Sequence, residues 1–469
     1  MGETVIYDIA IIGAGSGGLS VAAAAAQFGQ KVILFEKGKM GGDCLNYGCI
    51  PSKALIAAAK QAHTFRTAGK YGISALEPQV DFKKVHKYVQ SVIAAIAPND
   101  SVERFEKLGV KVVLSEAKFL DAKTVESKEG IFSAKRFVIA TGSRAAVPAI
   151  PGLAGVPYFT NETIFENTRL PGHLIIIGGG AIGAELAQSY RRLGSNVTVI
   201  EALEPLNKDD SELTAIVLDS LRDDGVRILA RTTINGISKS KAGIVIETEG
   251  QGKITGSHLL VATGRAANVD GLNLEAAGVA YTAKGVNVDK GLRSSQRHIY
   301  AIGDVAGGLQ FTHVANYHAG LVIRNALFRL PVKNRRDIIP HVTFTDPELA
   351  QVGLTEAEAV KQFGSSIRVV HWPFHDNDRA QAEGKTSGLI KAVTGKRGKI
   401  LGVGIVGGGA GEIIQPWVLA MTEGLKIRSI AGMVAPYPTL GEINRRVAVN
   451  YFSGLATHPW LRRVIGLLS

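Results

Sequence analysis

Cys44 and Cys49 are the only two cysteines in 469 residues, and both fall within Gly41-Gly-Asp-Cys-Leu-Asn-Tyr-Gly-Cys-Ile-Pro-Ser-Lys53. With four residues between them, they are close enough in the chain to form a small disulfide ring. A crosslink over so short a loop adds little stability, because its constraint on the unfolded chain grows with loop length. Two thiolates alone cannot fill a tetrahedral zinc site, so no metal is expected. The spacing therefore favours reversible redox chemistry over a structural staple or a metal pair. The thiolate is the reactive form, and an ordinary cysteine titrates near pH ~8.5. Lys53 and the start of a helix expected after Pro51 both favour the anion.

The elements that must position this pair show up as a repeat. Tyr7 to Gly18 reads as an apolar strand running into Gly13-Ala-Gly-Ser-Gly-Gly18, and Leu174 to Gly183 as a strand running into Gly178-Gly-Gly-Ala-Ile-Gly183. Each is followed by an Ala-rich helix and a second strand, Lys31 to Glu36 and Asn196 to Glu201. In the first motif Gly13 permits the tight turn, Gly15 lets the backbone approach a pyrophosphate, and Gly18 lets the helix pack closely. Gly178, Gly180 and Gly183 repeat the logic. Helix N-terminal amides then face the phosphates.

Glu36, eighteen residues beyond Gly18, is placed to accept hydrogen bonds from a ribose. Glu201 holds the same register in the second unit. A carboxylate there accepts from a ribose diol and repels a 2′-phosphate, and Ala202, Leu203 and Glu204 offer no arginine to hold one. NADH is therefore expected over NADPH.

Ala140-Thr141-Gly142-Ser-Arg144 and Ala262-Thr-Gly264-Arg265 each follow a short apolar strand, so each glycine motif is paired with an Ala-Thr-Gly turn. The expected fold class is α/β. Two Rossmann-like, doubly wound units bind nucleotides, the second spanning 150–263 and inserted into the first at 1–149 and 264–337. After them the composition changes. Mixed strands such as Gly388 to Val393 and Ile400 to Val406 alternate with helices, one expected around Gly411 to Leu425. This last segment, 338–469, reads as an α+β domain with a face to bury against another subunit.

A net charge of +12 is an excess, but Lys and Arg are scattered without basic runs or interleaved aromatics. That favours a solvated basic surface over a nucleic-acid site. No stretch of eighteen apolar residues occurs, so no integral membrane segment is expected. Met1 to Asp8 leads straight into a strand without the pattern of a signal peptide. A cycling thiol pair suits a reducing compartment, with the cytoplasm as default. Trp460-Leu-Arg-Arg-Val-Ile-Gly-Leu-Leu, near the end of the sequence, is expected as a terminal helix packed on its own domain, ahead of a peripheral contact with membrane or partner.

Taken with Tyr300-Ala-Ile-Gly303-Asp304-Val305 and Pro340-His-Val-Thr-Phe-Thr-Asp-Pro-Glu348, nearly the whole chain resembles the pyridine nucleotide–disulfide oxidoreductases. These flavoenzymes include dihydrolipoamide dehydrogenase, glutathione reductase and mercuric reductase. The resemblance implies FAD in the first unit, a nicotinamide nucleotide in the second, and a homodimer interface in the last segment.

It further implies that Gly13, Gly15, Gly18 and Glu36 meet the adenosine and pyrophosphate, Asp304 the ribityl chain, and the main chain of Ala117 the adenine. Gly42, Thr141, Gly142, Gly264 and Gly303 join the cofactor set. Cys49 would face the isoalloxazine and Cys44 would exchange with substrate. Lys53 and Glu185 match an ion pair beside flavin and nicotinamide. The implied activity moves electrons between NAD(H) and the Cys44–Cys49 couple, with a small or protein-bound disulfide or dithiol as substrate.

The pattern departs near the C-terminus. The family's disulfide reductases carry His-x-His-Pro-Thr-x-x-Glu, whereas this chain reads Ala435-Pro-Tyr-Pro-Thr-Leu-Gly-Glu442. Tyr437 holds the position of the acid–base histidine, and Glu442 that of the residue which orients it. A phenol titrates near pH ~10 and is a poor base at neutrality. General acid–base help is worth roughly 10²- to 10⁴-fold, so dithiol turnover should be slow unless His313, His318, His341, His371 or His375 substitutes. Mercuric reductases also carry tyrosine there, which raises the alternative of a soft-metal or quinone acceptor. Their terminal cysteine pair and N-terminal Cys-x-x-Cys domain have no counterpart in this sequence. The stretch His375-Asp-Asn-Asp-Arg-Ala380 reads as a turn rather than as a wall of the site.

Overall fold

The computed structural model describes residues 5–456 and 459–468. It divides into two compact units, one made of residues 1–178, 192–195 and 234–334, the other of 179–191, 196–233 and 335–469.

The first unit is built on a parallel five-stranded sheet. Its strands are β1 (Ile9–Ile12), β2 (Val32–Phe35), β3 (Lys111–Val113), β4 (Phe137–Ile139) and β5 (Ile299–Ala301), in the spatial order β5-β4-β1-β2-β3. These strands read as continuous apolar runs because both faces are covered. Ile9, Ile11, Val32 and Leu34 enter one core cluster, with Leu19, Val21 and Val322 from helices α1 (Ser16–Gln27) and α4 (Thr312–Ala326). Ala10, Ile12, Ile33 and Phe35 enter the other, with Ala117, Phe119, Val125 and Ala134 of an antiparallel sheet. Each large aliphatic side chain so buried contributes about 1.5–3 kcal/mol. Between β2 and β3 lie α2 (Gly42–Asn46) and α3 (Cys49–Thr67), which carry the two cysteines.

The second unit combines the parallel pair Asn196–Ile200 and Val226–Leu229 with a C-terminal antiparallel sheet. That sheet runs Pro340–Thr343, Glu348–Gly353, Ile400–Gly407, Leu389–Thr394 and Arg368–Pro373 in spatial order. The helix expected around Gly411 to Leu425 is two helices, Ala410–Ile413 and Gln415–Thr422. Pro416 lacks the amide a continuous helix needs, and it sits instead in the first turn of the second helix. The terminal helix Pro459–Leu468 forms, but the expectation that it packs down is not met. Trp460, Ile465, Leu467 and Leu468 all remain exposed, and of its described apolar side chains only Val464 is half-buried.

One cluster in this unit tests how much charge pairing matters. Lys391 is buried, and its Nζ lies 2.9 Å from Asp210, 2.8 Å from Glu212 and 2.8 Å from Glu356. Glu212, Glu356 and His371 bring ligand atoms within 4.8 Å of one another, but both carboxylates already pair with the Lys391 ammonium. These acids hold the lysine's pKa above its usual value against the opposing effect of burial. Removing one partner of a buried pair leaves the other charge uncompensated, at a cost of about 3–5 kcal/mol. Lys391→Met is expected to lower unfolding stability by that amount in a denaturant titration. A loss well under 1 kcal/mol would show that the acids relax into water.

Candidate redox site

The first glycine turn brings the cysteine loop to the sheet. Gly13 adopts φ +107°, and a Cβ on it would sit 2.5 Å from the Ala140 carbonyl oxygen. A Cβ on Gly18 would sit 1.9 Å from the Gly13 oxygen, so only glycine lets α1 start this close to the turn. Gly18→Ala is expected to yield protein with far less than one bound flavin per chain and a lowered melting temperature. Full flavin content in that variant would contradict this reading of the turn.

Both Glu36 oxygens accept backbone amides, from Ala14 at 2.7 Å and Gly38 at 2.7 Å. Glu201 repeats this with Gly179 at 2.7 Å and Leu203 at 2.9 Å. Each acid thus braces its own turn as well as ending its strand.

The loop bearing the cysteines is stitched to that turn. Gly41 N–H donates to the Ala14 oxygen at 3.0 Å, and Gly42 has φ +59°, where a Cβ would stand only 2.7 Å from the Gly15 Cα. The helix expected after Pro51 begins earlier, at Cys49 itself, because Pro51 tolerates a first-turn position where its missing amide is not needed. Cys49 is therefore the first residue of a nineteen-residue helix, where the helix dipole favours an anion.

Both cysteines are free and half-buried. The Cys44 thiol donates to Cys49 and, against the effect of burial, draws the Cys49 pKa down to about 6. The Thr312 hydroxyl, 3.3 Å from the Cys49 sulfur, and the charge of Lys53 act in the same direction. Cys44 is pushed far up by the same hydrogen bond and by burial. The pair is thus a thiolate and a thiol, with Cys49 the anion.

A depressed pKa stabilises the fold above the unfolded value and loses that contribution as pH falls through about 6. In the reduced protein, mapped alkylation of Cys49 by iodoacetamide should therefore rise through pH 6. Both cysteines titrating near pH ~8.5 would contradict the asymmetry.

The two Ala-Thr-Gly turns are crosslinked within the first unit. Ser143–Ala145 pairs antiparallel with Arg265–Ala267, Thr141 donates to the Asn268 oxygen at 2.7 Å, and Ala146 N–H donates to the Gly264 oxygen. At Gly142 and Gly264, with φ +66° and +146°, a Cβ would meet nothing within 4 Å, and at Gly15 it would meet only the Gly42 Cα at 4.0 Å. These open backbones at Gly15, Gly142 and Gly264 leave a bulky anionic nucleotide room to approach. The residues fit a flavin nucleotide on that ground. Gly303 N–H donates to His318 Nδ1 at 3.2 Å, and burial pushes the Asp304 carboxyl up while Ser143 and Arg265 counter it. Ala117 is buried in the antiparallel sheet opposite Ser127.

Of the nicotinamide set, Gly178 has φ +110°, where a Cβ would stand 2.4 Å from the Ala262 oxygen. In the second unit, Gly180 is open and Gly183 is buried in the helix Ala181–Arg192. Glu185, on the same helix, is buried and accepts from Phe344 N–H at 2.9 Å. Lys53 belongs to the first unit.

Tyr437 is exposed, and its hydroxyl donates to Asp378 at 3.0 Å, which raises the phenol's pKa. Glu442 is buried and pairs with Arg446 at 2.9 Å. The stretch after Phe374 does turn the chain, as Phe374–Asp376 and then the helix Asp378–Ala382, yet it also supplies Asp378 to Tyr437.

His313 stacks on Phe311, His318 takes the Gly303 amide, His341 meets Asp209 at 2.6 Å, His371 lies 3.4 Å from Glu212, and His375 is exposed.

Asp43, Ser143, Arg265, Thr312 and Asp378 are functional neighbours that sequence reasoning missed. Asp43 and Arg265 stand inside the cysteine and Ala-Thr-Gly motifs, where their charge is a signal. Thr312 is 263 positions from Cys49 and carries no local signal.

Residues 7–319 match the profile described as pyridine nucleotide-disulphide oxidoreductase, and residues 339–448 match the dimerisation domain of the same group. The chain is 34% identical to a mercuric reductase of Streptomyces lividans, over 96% of this chain and 97% of the relative. It is 36% identical to a dihydrolipoyl dehydrogenase of Geobacillus stearothermophilus, over 93% and 94%. Among solved structures, the Cu(II) complex of the HOCl-induced flavoprotein disulfide reductase RclA from Escherichia coli superposes with a TM-score of 0.86 at 28% identity, covering 95% of this chain and 100% of that one.

Proposed function

Because the chain belongs to the pyridine nucleotide–disulphide oxidoreductase family, we propose that it moves electrons between NAD(H) and a Cys44–Cys49 couple that cycles between disulfide and dithiol, with a disulfide as the substrate it reduces or a dithiol as the substrate it oxidises. It is an FAD-dependent oxidoreductase of the disulfide reductase type, and it uses a pyridine nucleotide. The observation that carries the reading is the stitching of the cysteine loop to the first glycine turn, with Cys49 placed as a helix-start thiolate.

The flavin, when bound, supplies two-electron chemistry between a hydride donor and a disulfide. The chain's own residues handle sulfur and protons. A hydride carries two electrons and one proton. Two electrons break the S–S bond into two thiolates, and the one proton stays on Cys44, the sulfur whose pKa is raised. Cys49 keeps its charge, supported by Cys44, Thr312, Lys53 and the helix start. Gly13, Gly15, Gly18, Gly42, Thr141, Gly142, Gly264, Gly303 and Asp304 would hold the flavin nucleotide, with Glu36 at its ribose and Ala117 near its adenine. Gly178, Gly180, Gly183 and Glu201 would hold the nicotinamide nucleotide, with Glu185 beside the nicotinamide and Lys53 beside the flavin.

The finer assignments rest on physical arguments. Preference for NADH rests on Glu201, which disfavours a 2′-phosphate. The flavin domain is assigned to 1–149 and 264–337, the nicotinamide domain to 150–263, and the dimerisation domain to 338–469. A homodimer accounts for the exposure of Tyr437, which would reach the site of a second copy while Glu442 acts on it from within its own chain. A reducing compartment such as the cytoplasm suits the thiol pair. Among the described residues no helix is long and apolar enough to cross a membrane.

A second reading has its own support. Tyr437 replaces a base that dithiol exchange needs, and the relatives include mercuric reductases and a disulfide reductase solved with Cu(II). In that reading the acceptor is a soft metal ion or a quinone. Comparing NADH oxidation with lipoamide, glutathione disulfide, Hg²⁺ and a quinone separates the two. Fast disulfide turnover that depends on Cys44 supports the first reading. Negligible disulfide turnover beside fast Hg²⁺ or quinone turnover supports the second.

A further inference from the structure

The cysteine loop carries an acid, Asp43, directly beside Cys44, and its charge works against the Cys49 thiolate. The carboxylate also packs against the loop. Asp43 Oδ2 lies where a Cβ on Gly48 would be 2.8 Å away, beside the turn between the two cysteines that Tyr47 N–H closes on the Asp43 main-chain oxygen at 2.8 Å. Its other carboxylate oxygen, Oδ1, accepts from Asn161 Nδ2 at 3.1 Å and faces Arg265 Nη2 at 3.1 Å. Arg265 is largely buried. Its Nε donates to Ser143 Oγ at 2.8 Å and lies 3.7 Å from Asp304 Oδ2, and Ser143 donates to that same oxygen. One cation is thus shared between two carboxylates, one in the cysteine loop and one in the segment expected beside the flavin.

We propose that Arg265 is a positioning residue for the dithiol: its guanidinium bridges Asp43 and Asp304, so that the Asp43 carboxylate can pack against the turn between Cys44 and Cys49 without presenting Cys49 with an uncompensated charge. This rests on the redox reading of the cysteine pair. Without Arg265, Asp43 and Asp304 would face each other half-buried with no cation between them. Like charges brought that close cost several-fold in any equilibrium that creates a further anion nearby. The anion concerned is Cys49. The charged and titratable groups bearing on it are Cys44 and Asp43 from α2 and Lys53 from α3, with the neutral Thr312 hydroxyl from α4.

The test reads the pH midpoint of Cys49 alkylation in flavin-loaded protein reduced with dithiothreitol, in a Cys44→Ser background so that one thiol reports. Arg265→Gln is expected to raise the midpoint by about one pH unit, a tenfold loss of thiolate below it. Arg265→Lys should restore most of the shift. Asp43→Asn alone should lower the midpoint, and the Asp43→Asn/Arg265→Gln pair should return near the parent, since the acid that needed compensation is gone. A merely structural arginine would give none of this sign pattern. An unchanged midpoint in Arg265→Gln, or a double variant shifted as far as the single one, overturns the proposal. Should Arg265→Gln fail to fold with flavin, Asp43→Asn still decides, because a raised or unmoved midpoint there overturns it as well. Chemical reduction in place of NADH keeps the outcomes apart: failure of NADH to reduce the wild type counts against the redox reading, not against Arg265.

Discussion

Replacing Cys49 with serine is expected to cut NADH oxidation with a disulfide acceptor by at least about 10³-fold, Cys44→Ser to do the same, and the double replacement to do no worse than either. The reasoning is that the two sulfurs act as one unit. Serine in place of Cys49 removes the thiolate that the helix start, Thr312 and Lys53 are arranged to hold. Serine in place of Cys44 removes both the exchanging thiol and the donor that contributes most to lowering the Cys49 pKa. Neither can lose the same bond twice, so the effects are not additive. The measurement is steady-state NADH oxidation, with flavin content checked in each variant. A single variant that keeps most of the wild-type disulfide turnover contradicts the account. Quinone turnover surviving both replacements would assign that activity to the nucleotide sites alone.

Tyr437→His is expected to raise dihydrolipoamide-linked turnover by roughly 10²-fold or more, the scale of general acid–base help. The native phenol is a weak base to begin with, and Asp378, accepting its hydrogen bond at 3.0 Å, moves it further from that role. An imidazole at the same position would add a limb to the pH–rate profile near ~6.5. Hg²⁺-linked oxidation should not gain, since no thiol proton has to be removed in turn. A variant with unaltered rate and pH profile would show that this position does not meet the substrate thiols.

Much of this architecture could be read from local sequence, because the features concerned are local. Gly13, Gly15, Gly18 and Glu36 announce their turn through spacing along one strand–turn–helix–strand unit, and the backbone closeness at Gly13 and Gly18 shows why nothing larger than glycine serves. Two boundaries moved for a physical reason that sequence states only ambiguously. Proline ends a helix interior but is welcome in a first turn, so α3 starts before Pro51 and the helix expected at Gly411 to Leu425 restarts around Pro416.

The residues that tune the sulfurs were not legible, because they arrive from distant parts of the chain. Thr312 comes from the start of α4, and Arg265 from the second Ala-Thr-Gly turn, which the crossing at Ser143–Ala145 brings to Asp43. Asp378 was hidden in a stretch that does form a turn, and only the fold shows what the turn presents to Tyr437. The exposed apolar side chains of Pro459–Leu468 mark the opposite case, an amphipathic pattern that predicts a helix correctly and its packing wrongly.

The most direct test of the central claim is to count alkylated thiols at Cys44 and Cys49 by mass spectrometry in the oxidised, flavin-loaded protein, before and after one equivalent of NADH without oxygen. The account predicts two new labels per chain after NADH, with Cys49 labelling at lower pH than Cys44. Flavin reduction by NADH with no new label on either cysteine would contradict it.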